Sequence, residues 1–207
     1  MPPSIDSTCI SPWIEFLKTL PSIVTMLTAI IAAFVGIKGL TRWREETVGK
    51  RKSELAEHVL ADFYQAKDIF EWVRFPISYP EEGAARPRND GENDAEARVR
   101  DAYYVPIQRL AKEAEFLGAM QARKYRFVAL FGADAGIPFR ELKEIQAEIV
   151  TAARMLARGN ANALHLPDLE AKIWTMGEQD DIKRRINHLI GNVEAICRPT
   201  LSARART

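Results

Sequence analysis

The stretch Leu20–Ile37 constrains the fold most strongly, because it carries no charged side chain. As an α-helix it would be about 27 Å long, close to the roughly 30 Å thickness of the hydrocarbon core of a bilayer. Its only polar side chains are those of Ser22, Thr25 and Thr28, whose hydroxyls can bond to carbonyls of the same helix. The sequence therefore predicts a transmembrane helix over residues 20–40.

Two other interpretations of this apolar stretch are weaker. A buried helix of a soluble protein would have polar residues at every third or fourth position. A cleaved signal peptide would begin with a basic segment, whereas residues 1–19 contain Asp6, Glu15 and Lys18, and no cleavage site of the A-x-A type ends the stretch. We therefore interpret it as an uncleaved anchor.

The basic residues around the anchor predict its orientation. Lys18 is the only one before the span, and six follow it closely: Lys38, Arg42, Arg44, Lys50, Arg51 and Lys52. Because basic loops stay on the cytoplasmic side, the amino terminus is predicted outside and the large carboxy-terminal part in the cytoplasm of a bacterial inner membrane or its equivalent. Trp13 and Trp43 flank the span and are expected at its two interfaces.

The rest of the chain predicts an all-α protein, in which the transmembrane helix continues into a cytoplasmic antiparallel helical bundle. The expected segments are an outer tail with an interfacial part (1–19), the span (20–40), a juxtamembrane helix (41–75), a flexible loop (76–93), the bundle (94–198) and a polar tail (199–207). The loop is expected to be flexible because it is rich in proline, glycine and charge.

Apolar residues at spacings of three and four predict the individual helices. The juxtamembrane stripe is Leu55, Val59, Leu60, Phe63, Ala66, Phe70 and Val73, and the stripe of a later helix is Leu142, Ile145, Ile149, Ala152 and Leu156. The later helix is expected to pack antiparallel on the helix before it.

Proline and capping residues predict where the helices begin and end. Asn93 is expected to cap a helix that reaches Gly132, with a kink or a break caused by Pro106 near Tyr103. A short helix is expected near Pro167.

The last helix is expected from Asp180 or Asp181 to about Cys197, closed by Pro199. Trp174, which precedes this helix, is expected to fill a gap in the core.

Charge and cysteine content exclude some classes of function. Twenty-nine basic and 28 acidic residues give a net charge of +1, which argues against a nucleic-acid-binding protein that neutralises many phosphates. The two cysteines, Cys9 and Cys197, are predicted on opposite sides of the membrane, so we expect no disulfide and no metal site from them.

Four local patterns resemble functional sites, and each has a simpler explanation. Glu54, His58 and Asp62 lie one helical turn apart without a metal-binding pattern, and we expect solvated charges. Residues 123–127 alternate cations with aromatics, as in a nucleobase-stacking helix, and we expect aromatics inward and cations outward. Residues 132–136 contain two glycines but lack the lysine of a phosphate loop, so we expect a helix end and a turn.

The fourth pattern is the pair His165 and Asp168 in a loop without a nucleophile, where we expect ordinary capping. The sequence therefore predicts no catalytic, cofactor-binding or metal-ligating residue.

Several segments resemble those of a set of uncharacterised bacterial membrane proteins. They are Trp43–Ala66, Tyr104–Pro106, Tyr125–Gly132 and Ile196–Pro199. Those proteins have one amino-terminal span and a helical remainder, so the resemblance implies a bacterial inner-membrane location. It supplies no activity, cofactor or binding residue.

The sequence thus favours a membrane-anchored interaction protein, such as a scaffold, an adaptor or an accessory subunit. Its expected partners are the lipid bilayer and either another protein or a second copy. One face of the span, with Thr28, Ala32 and Gly36, would allow two helices to approach closely. The alternatives are an enzyme whose site converges from several helices, and a ligand sensor with the Pro106 kink as a pocket wall.

Overall fold

The computed structural model is all-α, as the sequence predicted, and the residues it describes contain no strand. These residues are 12–79, 81–88, 91–159, 162, 164–177 and 180–204. The helices are α1 (Pro12–Val73), α2 (Asp94–Lys112), α3 (Ala114–Phe131), α4 (Ile137–Ala157), α5 (Leu166–Ile173) and α6 (Asp181–Arg204), with a short 3-10 helix (Ala133–Gly136) before α4.

The chain divides into two units, residues 1–50 and 51–207. The described part of the first unit belongs to α1. From Thr25 onward α1 is long and apolar enough to cross a membrane, and none of its most apolar window is buried within the protein. Its exposed large apolar side chains are those of Met26, Leu27, Ile30, Ile31, Phe34, Val35, Ile37, Leu40 and Trp43.

The second unit has a core built on the predicted stripe of α1. Of the seven predicted positions, Leu60 is partly buried. The other six are buried: Leu55, Val59, Phe63, Ala66, Phe70 and Val73. The predicted stripe of α4 is also buried. Phe139 joins the two helices, because its ring lies edge-on to that of Phe63, with centroids 4.9 Å apart, and contacts Phe127 of α3 at 5.9 Å.

Helix α4 runs back along α2, which confirms the predicted packing. Arg100, in the first half of α2, lies against Gly159, which follows the end of α4. A Cβ atom on Gly159 would lie 2.8 Å from the Arg100 guanidinium, and the φ of +72° also favours glycine. The carboxy-terminal end of α4 therefore lies beside the amino-terminal half of α2.

Asn93 caps α2 as predicted, but the helix does not break at Pro106, and a kink there stays a prediction. The Asn93 side chain accepts hydrogen bonds from the backbone N–H groups of Ala95 and Glu96, at 3.0 and 2.9 Å. Pro106 is buried inside α2, which continues without a break to Lys112. The interruption occurs instead at Glu113, between α2 and α3. A proline removes only one helical hydrogen bond, and packing around its ring can offset that loss.

The predicted end of the last helix is wrong, because α6 continues through Pro199 to Arg204. Ala195, whose carbonyl would accept from the missing N–H, is exposed, so water can satisfy that carbonyl.

The segment 76–93, expected to be a flexible loop, is held against α2 where it is described. The backbone N–H of Gly83 donates to Gln108 at 2.8 Å. The buried Arg86 guanidinium contacts Asp101 at 2.8 Å and Glu92 at 2.7 Å. Composition indicated a loop correctly but did not reveal these long-range contacts.

We expect Phe139→Ala to lower the free energy of unfolding of the helical unit by about 3–5 kcal/mol, because it removes a fully buried ring between two others. Urea unfolding of the full chain in detergent, followed by circular dichroism, would measure the change. The control is Tyr125→Ala, which removes a 74% exposed ring and should change stability by less than about 0.5 kcal/mol. Equal losses in both variants would contradict the observed core.

Candidate functional site

The end of α1 is fixed by the buried side chain of Arg109, which extends from α2. Its Nη1 donates to the carbonyls of Trp72 and Phe75 at 2.8 and 2.9 Å. Its Nη2 donates to the Ile77 carbonyl at 2.8 Å and to Glu82 at 2.7 Å, and its Nε donates to Glu82 at 3.1 Å. All five N–H groups of the guanidinium are therefore used.

The segment that Arg109 holds exposes three large apolar side chains. We call residues 75–79 (Phe-Pro-Ile-Ser-Tyr) the apolar loop. Phe75, Ile77 and Tyr79 are 49%, 70% and 76% exposed. The buried Arg109 side chain fixes their backbone, whereas their side chains are exposed to solvent. Apolar side chains displayed on a rigid backbone lose little conformational entropy on binding, so this arrangement suits contact with another molecule.

Glu82 completes the support of the apolar loop. Its carboxylate forms a two-pronged ion pair with Arg109 and accepts from the backbone N–H of Tyr79 at 3.2 Å. The hydrogen bond from Arg109 lowers the pKa of Glu82 below its usual 4.5, against the opposing effect of burial. The pair therefore stays ionised at neutral pH.

A second buried arginine, Arg74, joins the end of α1 to α5 and α6. Its guanidinium donates to the carbonyls of Ala171, Lys172 and Trp174, at 2.8 to 2.9 Å. A cation at the carboxy-terminal end of a helix satisfies carbonyls that lack helical partners. Arg74 thus caps α5.

Asp180 neutralises Arg74 and also caps α6. Its carboxylate lies 2.9 Å from the Arg74 guanidinium, and it accepts from the backbone N–H groups of Lys183 and Met176 at 3.0 and 3.2 Å. Burial alone would raise the pKa of Asp180, but the hydrogen bonds outweigh burial and lower the pKa below 3.8. Asp180 is therefore a structural carboxylate, ionised at neutral pH.

A cleft of about 390 Å³ lies beside these two arginines, between α1 and α6. Its walls combine apolar side chains with charged ones, of which Arg74 is buried, Lys67 half-buried and Lys183 exposed. The lining residues are Lys67, Phe70, Glu71, Arg74, Phe75, Pro76, Thr175, Lys183, Ile186 and Asn187. Its volume is within the range of small-molecule sites. The cleft shares Phe75 and Pro76 with the apolar loop.

Of the three residues at one-turn spacing on α1, only two are solvated as expected. Glu54 and His58 are exposed, but Asp62 is buried and forms an ion pair with Arg123 of α3 at 2.9 Å. Burial raises the pKa of Asp62, and the Arg123 charge partly opposes that shift. Within the described ranges, no group of three or more potential ligands could hold a metal ion.

The expectation for residues 123–127 was half right. The ring of Phe127 is fully buried, but that of Tyr125 is exposed, so one aromatic points outward with the cations. Gly132 ends α3 with a φ of +98°, and the 3-10 helix follows, as predicted for a turn.

His165 and Asp168 are both exposed. His165 occupies the N-cap position of α5, but its side chain makes no capping hydrogen bond.

Sequence reasoning missed the two arginines that organise the site. Arg109 lies directly before the buried Leu110 in the apolar face of α2, and Arg74 directly follows the last residue of the α1 stripe. A basic residue on a buried face is unusual and must have partners. That signal was present, but the partners lie far away in the sequence and could not be identified from it.

Burial also raises the pKa values of Tyr103 and Cys197, which lie outside this region. Tyr103 donates to Glu170 at 2.5 Å, and burial together with this contact raises its pKa to about 12. Burial raises the pKa of Cys197 to about 11, so its thiol is unreactive at neutral pH. Cys9 lies outside the described residues, and the predicted absence of a disulfide stays a prediction.

Comparison with known proteins found no matching family model, no matching curated protein and no matching solved structure.

We expect Asp180→Asn to destabilise the helical unit by about 3 kcal/mol near pH 7, because it leaves Arg74 buried without a counter-ion. The pKa of Asp180 is lower in the folded than in the unfolded chain. Its stabilisation is therefore present above about pH 4 and is lost as the pH falls through the folded pKa. The difference between wild type and variant, measured by urea unfolding, should shrink as the pH falls below 4.

The matched control is Asp181→Asn, which changes the adjacent, exposed carboxylate. It should change stability by less than about 1 kcal/mol at any pH. A pH-independent difference between wild type and Asp180→Asn would contradict the assigned role of this carboxylate.

Proposed function

We propose that the apolar part of α1 anchors this protein in a membrane and that its helical unit binds other proteins, as a scaffold, an adaptor or an accessory subunit of a membrane complex. The observation that carries the anchor is the exposure of every large apolar side chain from Met26 to Trp43. Exposing a continuous apolar surface of this size to water is unfavourable, whereas the acyl chains of lipids would cover it favourably.

The proposed topology is single-pass, in a bacterial inner membrane, with the amino terminus outside and the helical unit in the cytoplasm. It is supported by the six basic residues that follow the apolar stretch, against Lys18 alone before it. The bacterial setting is supported by the sequence resemblance described above.

The apolar loop is the proposed surface for protein binding. Two features support it: exposed Phe75, Ile77 and Tyr79 side chains, and a backbone fixed by Arg109. Exposed aromatic side chains on a rigid support are typical of residues that dominate protein interfaces.

The enzyme alternative has less support in the described residues. It required a cavity lined by carboxylates and a histidine, but His58, His165 and His188 are all exposed. His188 lies with Glu141 and Asp181 in an open surface depression of about 270 Å³, where Asp181 is already paired with Arg184. A sensor pocket walled by Pro106 is not supported either, because Pro106 is buried and the cleft lies elsewhere. Binding of a second copy through the small-residue face of the span stays a prediction.

We expect the chain with both Ile30 and Ile31 replaced by Arg to leave the membrane fraction. Each arginine at the centre of a span costs about 2.5–3.5 kcal/mol. Alkaline carbonate extraction of membranes, with detection of the chain in pellet and supernatant, would measure the effect. The control is Val48→Arg, beyond the apolar stretch, which should remain in the pellet. Retention of the double variant would contradict the anchor.

Cys9 gives a second readout, for orientation. A membrane-impermeant maleimide added to intact spheroplasts should label wild type but not Cys9→Ser, since the buried Cys197 thiol is unreactive. Labelling of Cys9 only after the membrane is opened would overturn the proposed orientation.

We expect benzoylphenylalanine at Tyr79 to form a discrete photo-adduct with a protein in native membranes, because Tyr79 is in the proposed interface. The matched control is the same group at Tyr125, which is similarly exposed but lies on the regular helix α3. Ile77→Asp should reduce the Tyr79 adduct about tenfold, because a charge is costly in an apolar contact.

The adduct mass separates the possible partners. An adduct of twice the chain mass would identify a second copy, and a different mass would identify another protein. Equal yields at Tyr79 and Tyr125 would contradict the apolar loop as the docking surface.

A further inference from the structure

The cleft between α1 and α6 has an apolar floor. Phe70 and Ile186, which are 1% and 5% exposed, form part of it. Phe75 and Pro76 lie at its edge and are exposed. With a volume of about 390 Å³, it can accept a body the size of a substituted ring.

The charges in the cleft are unbalanced. Arg74 contributes no free charge, because Asp180 neutralises it and its other hydrogen bonds go to carbonyls. Lys67, Lys183 and Glu71 also line the cleft, and none of them forms an ion pair with another described residue. Two ammonium groups and one carboxylate leave one positive charge beside an apolar floor.

An apolar floor with one unbalanced positive charge selects a particular chemical class. An anion needs both a counter-charge and hydrogen-bond donors, which two lysines supply, and Thr175 and Asn187 add neutral polar groups at the rim. A dianion would exceed the available charge, and a cation would meet the two lysines. A neutral apolar molecule could cover the floor but would gain no attraction from the two lysines.

We propose that this cleft binds a small organic monoanion, with its apolar body on Phe70 and Ile186 and its carboxylate held by Lys67 and Lys183. The site is distinct from protein docking on Ile77 and Tyr79, and it would bind this ligand whether or not the apolar loop binds a protein.

The probe is 4-(trifluoromethyl)phenylacetate, titrated into the full chain in phosphatidylcholine nanodiscs and followed by ¹⁹F NMR. Its neutral amide is the matched ligand control, and empty nanodiscs measure partition into lipid. We expect saturable binding of the carboxylate and at least about tenfold weaker binding of the amide, because only the carboxylate uses the lysine charges. Equal binding of the two probes, or binding that empty nanodiscs reproduce, would overturn the proposal.

Two variants locate the site. Lys183→Glu reverses one charge in the first turn of α6, where an acidic residue is compatible with the helix, and should weaken the carboxylate about tenfold. Lys143→Glu makes the same change at an exposed position of α4 outside the cleft and should have no effect. Asn187→Trp, at an exposed position on the rim, should block both probes.

Circular dichroism would verify that each variant is folded. Carboxylate binding that Lys183→Glu and Lys143→Glu weaken equally would place the ligand elsewhere and overturn the proposal.

Discussion

The buried guanidinium of Arg109 is the contact on which the end of α1 and the segment after it depend. It crosses from α2 to the last turn of α1 and bonds to three carbonyls over six residues, Trp72 to Ile77. A buried arginine without partners would cost several kcal/mol, so the arginine, its three carbonyl partners and its counter-ion must all be in place in the folded protein. Glu82 supplies the counter-charge and, through the Tyr79 N–H, closes the other end of the segment.

Arg74 satisfies backbone carbonyls in the same way, at the carboxy-terminal end of α5. The last carbonyls of α1 and of the short α5 have no donor within their own helix and must accept hydrogen bonds from elsewhere. The Arg74 guanidinium donates to carbonyls at the end of α5, and the Asp180 carboxylate accepts from the backbone N–H of Lys183 at the start of α6. Because Arg74 and Asp180 neutralise each other, Lys67 and Lys183 are the cations of the cleft that remain available to a ligand.

The sequence predicted the fold better than it predicted the candidate site, and the reason is the range of the interactions involved. Helical periodicity is local, so the stripes of α1 and α4 could be identified from spacing alone. The break allowed at Pro106 and the helix end expected at Pro199 do not occur, because local rules give a proline a fixed cost, whereas packing and solvent decide whether the helix continues. Arg109 and Glu82 are 27 positions apart, and no local pattern relates them.

The same contrast applies to Tyr125 and Tyr79, which are equally exposed but differ in what holds them. Tyr125 lies on a regular helix surface, whereas Tyr79 lies in a segment fixed by ion pairs from a distant helix. Exposure alone therefore does not distinguish the two side chains, whereas the fixed irregular backbone around Tyr79 does. Phe75 adds a physical connection, since it belongs to both the apolar loop and the wall of the cleft. The proposed ligand contacts Phe70 and Ile186 rather than Ile77 and Tyr79, so it would leave the two most exposed side chains of the apolar loop free to contact a protein.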